Sequence, residues 1–168
     1  MSLHRDLLEQ ARHLAKREPK KPRQASLRRA IGTSYYALFH LLVHDACAFL
    51  AGGAREPLRH ALARAFKHKA MVMACKAFAN QAVKDPLRDS LPTPTISPDL
   101  TRVATTFADL QQARHEADYD PSAAFSRQQA LGLVNQAVAA FAAWDRVRKS
   151  EEVAPFCVAL LAYDDMRS

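Results

Sequence analysis

The chain has 168 residues, of which 49% are hydrophobic and 24% charged, and it carries a net charge of +7. That length fits one domain that buries a core without disulfide or metal staples. The composition is that of a globular protein and excludes collagen-like, low-complexity and disordered classes. Three cysteines, Cys47, Cys75 and Cys157, lie far apart with no C-x-x-C pair. An odd number cannot close a complete set of internal disulfides, so a reduced, cytoplasmic setting is expected. The opening MSLHRDLLEQ is charged at once and lacks the apolar stretch of a secretory leader. The longest apolar run, Val153 to Tyr163, contains Pro155 and is too short to span a bilayer, so no membrane association is expected.

The charge is unevenly spread. Residues 1–76 hold 15 Lys and Arg against 5 Asp and Glu, whereas residues 77–168 hold 9 against 12. A basic half of this kind attracts polyanions such as RNA in a salt-dependent way, and it equally describes a solvated basic surface.

Taken in chain order, the first predicted helix runs from about Leu3 to Arg17, with Leu7, Leu8, Ala11, Leu14 and Ala15 at helical spacing. Pro19 and Pro22 then break the chain around two lysines. A long second helix covers about Gln24 to Leu50. From Ile31 onward, Tyr35, Leu38, Phe39, Leu42, Val43 and Phe49 cover several of its faces, which predicts a central, buried rod. Gly52-Gly53 ends it. A third helical stretch is predicted over about Pro57 to Gln81, with Leu58, Leu62, Ala65 and Phe66 on one face. His60, Arg64, Lys67 and His68 give the same stretch a basic side that suits phosphate contacts or simply solvent. Residues 82–97 read as a proline-rich loop.

Ser97-Pro98-Asp99 predicts a helix start, with Ser as N-cap and Pro at the first helical position. The fourth helix extends to about Tyr119 on a stripe of Leu100, Val103, Phe107 and Leu110. Asp120-Pro121-Ser122 punctuates. A fifth helix covers about Ala124 to Lys149, with Ala130, Leu133, Val134, Ala137, Phe141 and Trp144 inward. The tail forms a short docked helix near Phe156–Tyr163. No segment alternates like a strand. The expected fold is therefore all-α, an up-and-down bundle of about five helices in one domain over 1–168. Residues 1–22 form its N-terminal helix and linker, 23–150 its core, and 151–168 a docked tail.

Several polar side chains interrupt these apolar patterns. On the second helix Arg29, Tyr36 and His40 share one face, being spaced by seven and four. Arg28 and Tyr35 repeat the seven spacing one position earlier. A guanidinium, phenols and an imidazole along a buried helix must be paired or hydrated. On the fourth helix, Arg114 occupies the next position of the apolar stripe, and Asp118 follows at i+4. The two can pair with each other, or face the tyrosines and His40 of the second helix. A buried structural network and a functional site are both compatible with this pattern. His40 and His44 have helical metal-ligand spacing, but no third ligand is evident and no metal or other cofactor is expected.

Two segments resemble a known family. Arg28 to His40, reading RRAIGTSYYALFH, is similar to the "RRA…YYA-F-H" helix of HEPN-domain proteins. Arg114 to Pro121, reading RHEADYDP, is similar to their later "R…ADYDP" segment. The resemblance implies a HEPN-like helical bundle, usually a homodimer, among relatives that serve in toxin–antitoxin and defence systems beside a small nucleotidyltransferase. It also implies nucleotide or RNA binding, and in the active relatives metal-independent RNA cleavage. There a histidine four to six residues after an arginine acts as general base, while the arginine stabilises phosphorane charge.

Arg114 matches that arginine, but the histidine has no counterpart here: His115 follows directly, and Asp118 and Tyr119 stand near the expected position. The candidate catalytic residues are thus Arg114 and Asp118, with His40 supplying an imidazole from the other helix. The candidate binding residues are Arg28, Arg29, Tyr35, Tyr36, Tyr119 and His68. Three functions stay open: a nucleotide- or RNA-binding module in a two-component system, a metal-independent endoribonuclease toxin using Arg114, and a non-catalytic structural dimer.

Overall fold

A computed structural model describes residues 2–167, and every regular element among them is helical. Among the described residues seven α-helices occur: α1 (Leu3–Ala15), α2 (Gln24–Leu50), α3 (Glu56–Ala63), α4 (His68–Ala79), α5 (Pro98–Tyr119), α6 (Arg127–Val147) and α7 (Val153–Ala162). Short 3-10 turns lie at Arg88–Ser90 and Asp165–Arg167. No helix is long and apolar enough to cross a membrane among the described residues.

The count of five expected from the sequence is too low for two reasons. The third stretch breaks between Ala63 and His68, with Lys67 in extended conformation. Neither proline nor glycine marks that break. It lets Phe66 turn inward to 6% exposure, while α3 itself buries no residue; tertiary burial overrides helical continuity here. The tail also forms a full helix, α7, with six buried residues.

The chain divides into two compact units. The first comprises the chain up to Leu41 together with Thr106–Ala142; the second comprises Leu42–Thr105 and the chain from Ala143 onward. The boundaries fall inside α2, α5 and α6.

In the first unit a core of small residues joins four helical segments. Ala11 and Ala15 of α1 meet Leu27, Ala30 and Ile31 of α2, Ala117 of α5, and Ala130 and Val134 of α6. Alanines at these contacts let helix backbones approach closely, and Tyr35 and Phe107, both fully buried, pack as a tilted pair with ring centres 5.4 Å apart. Polar side chains fix the connections. Ser26 Oγ donates to Glu18 at 2.7 Å and the Arg23 amide donates to the same carboxylate at 3.3 Å, fastening the linker to the start of α2. The Ser26 hydroxyl holds the Glu18 carboxyl below its usual value. Arg127 donates to the carbonyls of Glu18 and Pro19. Gln24 and Phe125 exchange two hydrogen bonds, at 2.8 and 2.9 Å.

In the second unit α4 packs on α7, with Phe78 edge-on to Phe156 at 4.9 Å and Trp144 at 6.1 Å from Phe156. Ser97 caps α5 as its sequence predicts: Leu100 N donates to Ser97 Oγ at 3.2 Å. The capping serine is itself held by the buried Glu152 carboxylate, which accepts from its amide at 3.1 Å and from its hydroxyl. Phe49, expected inside the rod, is 53% exposed instead. It falls in the last turn of α2, just ahead of Gly53, whose φ of +81° suits glycine.

Candidate functional site

The polar residues of α2 and α5 converge in the first unit. Arg114 sits on α5 with its side chain only 17% exposed. Its Nη2 donates to the Tyr36 hydroxyl of α2 at 3.1 Å. Its Nε lies 2.8 Å from Asp118 Oδ2, an ion pair one helical turn on, although the N–H is not aligned for a hydrogen bond with that oxygen. Three tyrosine rings surround the guanidinium, those of Tyr36 at 5.4 Å, Tyr119 at 5.7 Å and Tyr35 at 5.8 Å. Burial alone would pull the Arg114 value down. The fields of Tyr36 and Asp118 outweigh it, and the guanidinium is held above its ordinary value.

A pocket of about 320 Å³ opens beside this group. Helix α2 supplies Arg29, Gly32, Thr33, Tyr36 and His40 to its wall; α5 supplies Asp118, and α1 supplies Leu3, Leu7 and Gln10. The volume is at the lower end of the ~300–1,000 Å³ typical of small-molecule sites. Its lining is mixed, with one apolar side, one carboxylate, one guanidinium and one imidazole. His40 is half-buried, 6.4 Å from Tyr36 and edge-on to Phe39 at 5.4 Å between ring centres. Desolvation pushes its value below the ordinary imidazole value, which favours the neutral ring.

The structure sorts the sequence candidates by position. Arg29, Tyr36, His40 and Asp118 line one pocket, and Arg114 lies directly behind it through Tyr36 and Asp118. Tyr35 is fully buried beneath, against Phe107 and Tyr36. Tyr119 is 64% exposed at the end of α5, 5.0 Å from the His115 ring. Arg28 is engaged elsewhere: it donates to the carbonyls of Ala117 at 2.8 Å, Asp120 at 2.9 Å, Pro121 at 3.5 Å and Ala123. Its guanidinium thus satisfies orphan carbonyls at the end of α5 and in the following turn. His68 opens α4 in the second unit.

Two features had weak sequence signals. Gly32 sits mid-helix, where glycine costs stability relative to alanine. A Cβ there would meet Asp118 Oδ1 at 3.8 Å and Arg114 Cγ at 4.0 Å, so the glycine leaves the Asp118 carboxylate uncovered toward the pocket. Asp45, the only acid among residues 19–55, is the hub of the second unit. It accepts from Trp144 Nε1 at 2.8 Å, pairs with His44 at 2.8 Å, and lies 3.5 Å from Arg148. Burial would raise its carboxyl, but the Trp144 and His44 hydrogen bonds outweigh burial and hold it below the usual value.

A second pocket of about 340 Å³ in that unit has His44, Cys47, Glu56, Arg59 and His60 on its walls. Among the described residues no three His, Cys, Asp or Glu side chains are grouped to hold a metal ion. Burial raises all three thiols, Cys75 and Cys157 most strongly, which makes them poor nucleophiles. No family model, curated protein or solved structure matches the chain.

Proposed function

We propose that this chain is a HEPN-like nucleotide- or RNA-binding module, one half of a two-component toxin–antitoxin or defence system, working as a homodimer with a nucleotidyltransferase-type partner. One observation carries the reading. Arg29, Tyr36 and His40 from the RRAIGTSYYALFH segment share a pocket with Asp118 from the RHEADYDP segment. Each contributes a group that suits a nucleotide: a guanidinium for phosphate, an aromatic face for a base, and polar atoms for the base edge. The uneven charge supports an anionic ligand.

A metal-independent ribonuclease is the second reading, and His40 favours it. A neutral imidazole on the pocket wall is competent to take a proton from a 2′-hydroxyl. Against it, Arg114 lies beside Asp118 and Tyr36 and is not among the residues that line the pocket.

Titrating the chain with nucleoside monophosphates and short labelled RNA at two salt concentrations tests the binding reading. Saturable binding that weakens with salt is expected, and its absence at low salt overturns the proposal. Incubating labelled RNA with the protein in EDTA separates the two readings: intact RNA is expected, and cleavage lost in His40→Gln assigns the enzyme instead.

A further inference from the structure

The charge layout of the first unit's pocket restricts which base it accepts. Its single carboxylate, Asp118, is held on one side by Arg114 at Oδ2, and Gly32 leaves Oδ1 uncovered toward the pocket. A carboxylate paired with a guanidinium accepts hydrogen bonds and donates none. It repels phosphate and rewards a ligand edge that presents donors. The pocket's own guanidinium, Arg29, comes from α2 and suits the phosphate. Tyr36, fixed by its bond to Arg114, whose guanidinium lies over its ring, lines the same pocket.

The four common bases differ sharply at this point. Adenine and cytosine each place one amino donor beside a ring-nitrogen acceptor. Uracil places one N–H between two carbonyls. Guanine alone sets two adjacent donors, N1–H and the 2-amino group, on its Watson–Crick edge, and both can converge on the two lone pairs of one open carboxylate oxygen. An acceptor-only group facing any of the other three meets an acceptor as well as a donor, and the mismatch costs binding.

We propose that the first unit's pocket selects guanine, with Asp118 Oδ1 accepting from both N1–H and the 2-amino group and Arg29 holding the attached phosphate. This rests on the nucleotide-binding reading above. The same chemistry is supplied by a free guanine nucleotide or by a guanosine at an RNA end.

The test titrates the full chain with GMP, AMP, CMP, UMP and inosine monophosphate, and in parallel with RNA tetranucleotides that end in G or lack it. GMP is expected to bind at least about tenfold tighter than the other three common nucleotides, as one bidentate base contact provides. Inosine monophosphate keeps N1–H but lacks the 2-amino group, so it is expected to lose most of that advantage in the unaltered protein. Asp118→Asn replaces one carboxylate oxygen with a donor. With its oxygen kept against Arg114, the new amide turns N–H donors to the pocket, so the variant is expected to lose the GMP preference and to gain CMP, whose N3 and O2 accept. A purely structural Asp118 would not exchange one base for the other.

Tighter binding of the G-ended tetranucleotide than of GMP names an RNA end as the source, and the reverse names the free nucleotide. Equal affinity for all bases, or GMP and inosine monophosphate binding alike, overturns the guanine assignment and leaves nucleotide binding standing. Binding of none of them overturns both.

Discussion

Arg114 of α5 donates to the hydroxyl of Tyr36 on α2 at 3.1 Å, and this bond ties the two motif-bearing helices together behind the pocket. Because the arginine also pairs with Asp118, its removal leaves a carboxylate whose side chain is 32% exposed without its counter-charge. Arg114→Met is expected to cost about 2 kcal/mol, between the limits for exposed and fully buried pairs. Tyr36→Phe keeps the ring and loses one hydrogen bond, about 1 kcal/mol. Urea unfolding of the two single variants and the double variant checks this. A coupling energy near zero would show that the two side chains act independently.

Gly32→Ala separates stability from binding. The new methyl meets Asp118 and Arg114 at 3.8 and 4.0 Å, ordinary contact distances, so nothing must move. Replacing a mid-helix glycine with alanine should stabilise the fold by about 0.5–1 kcal/mol. The same methyl fills the space beside Asp118 Oδ1 and should weaken nucleotide binding. A higher thermal midpoint together with weaker binding is the expected pair of results.

Arg28 is expected to matter for folding rather than for ligands. It serves four carbonyls around the end of α5, of which, among the described residues, only that of Asp120 has a further partner in the Ala123 amide, and Arg28→Ala removes all four bonds. A loss of about 2–4 kcal/mol is expected. Arg28→Lys should recover little, because a point charge cannot reproduce a planar fork. Hydrogen exchange should speed up over residues 117–125, while nucleotide affinity per folded molecule stays the same.

Two groups give the stability a pH dependence of known sign. His40 has a folded value below its unfolded value of about 6.5. Its contribution is therefore complete above that pH and is lost as pH falls through the window below it. His40→Gln should flatten this limb. Asp45 is also depressed, so its contribution stands above the unfolded carboxyl value of about 3.9 and is lost as pH falls through the lower folded value. Trp144, the single tryptophan, bonds directly to Asp45 and reports that second limb by fluorescence. Asp45→Ala strands the Trp144 N–H and should cost about 1–3 kcal/mol.

Helix α2 was fully legible in the sequence, from Gln24 to Leu50, because twenty-odd residues free of proline and rich in apolar side chains leave little alternative. The Ser97 cap was legible for the same local reason. The break between α3 and α4 was not, since it arises from burying Phe66 and leaves no breaker residue in the chain. At the site, the seven and four spacings placed Arg29, Tyr36 and His40 on one face, and all three line one pocket. The different fates of neighbours Arg28 and Arg29 depend on where the α5–α6 turn lies. A spacing rule within one helix carries no information about that turn.

Nuclear magnetic resonance of the labelled chain during titration with a nucleoside monophosphate tests nucleotide binding in the first unit most directly. Shifts are expected to concentrate at the amides of Gly32, Thr33 and Asp118 and at the rings of Tyr36 and His40, and to saturate. Shifts that never saturate, or that fall only on the exposed basic residues of α3 such as Arg59, would contradict it.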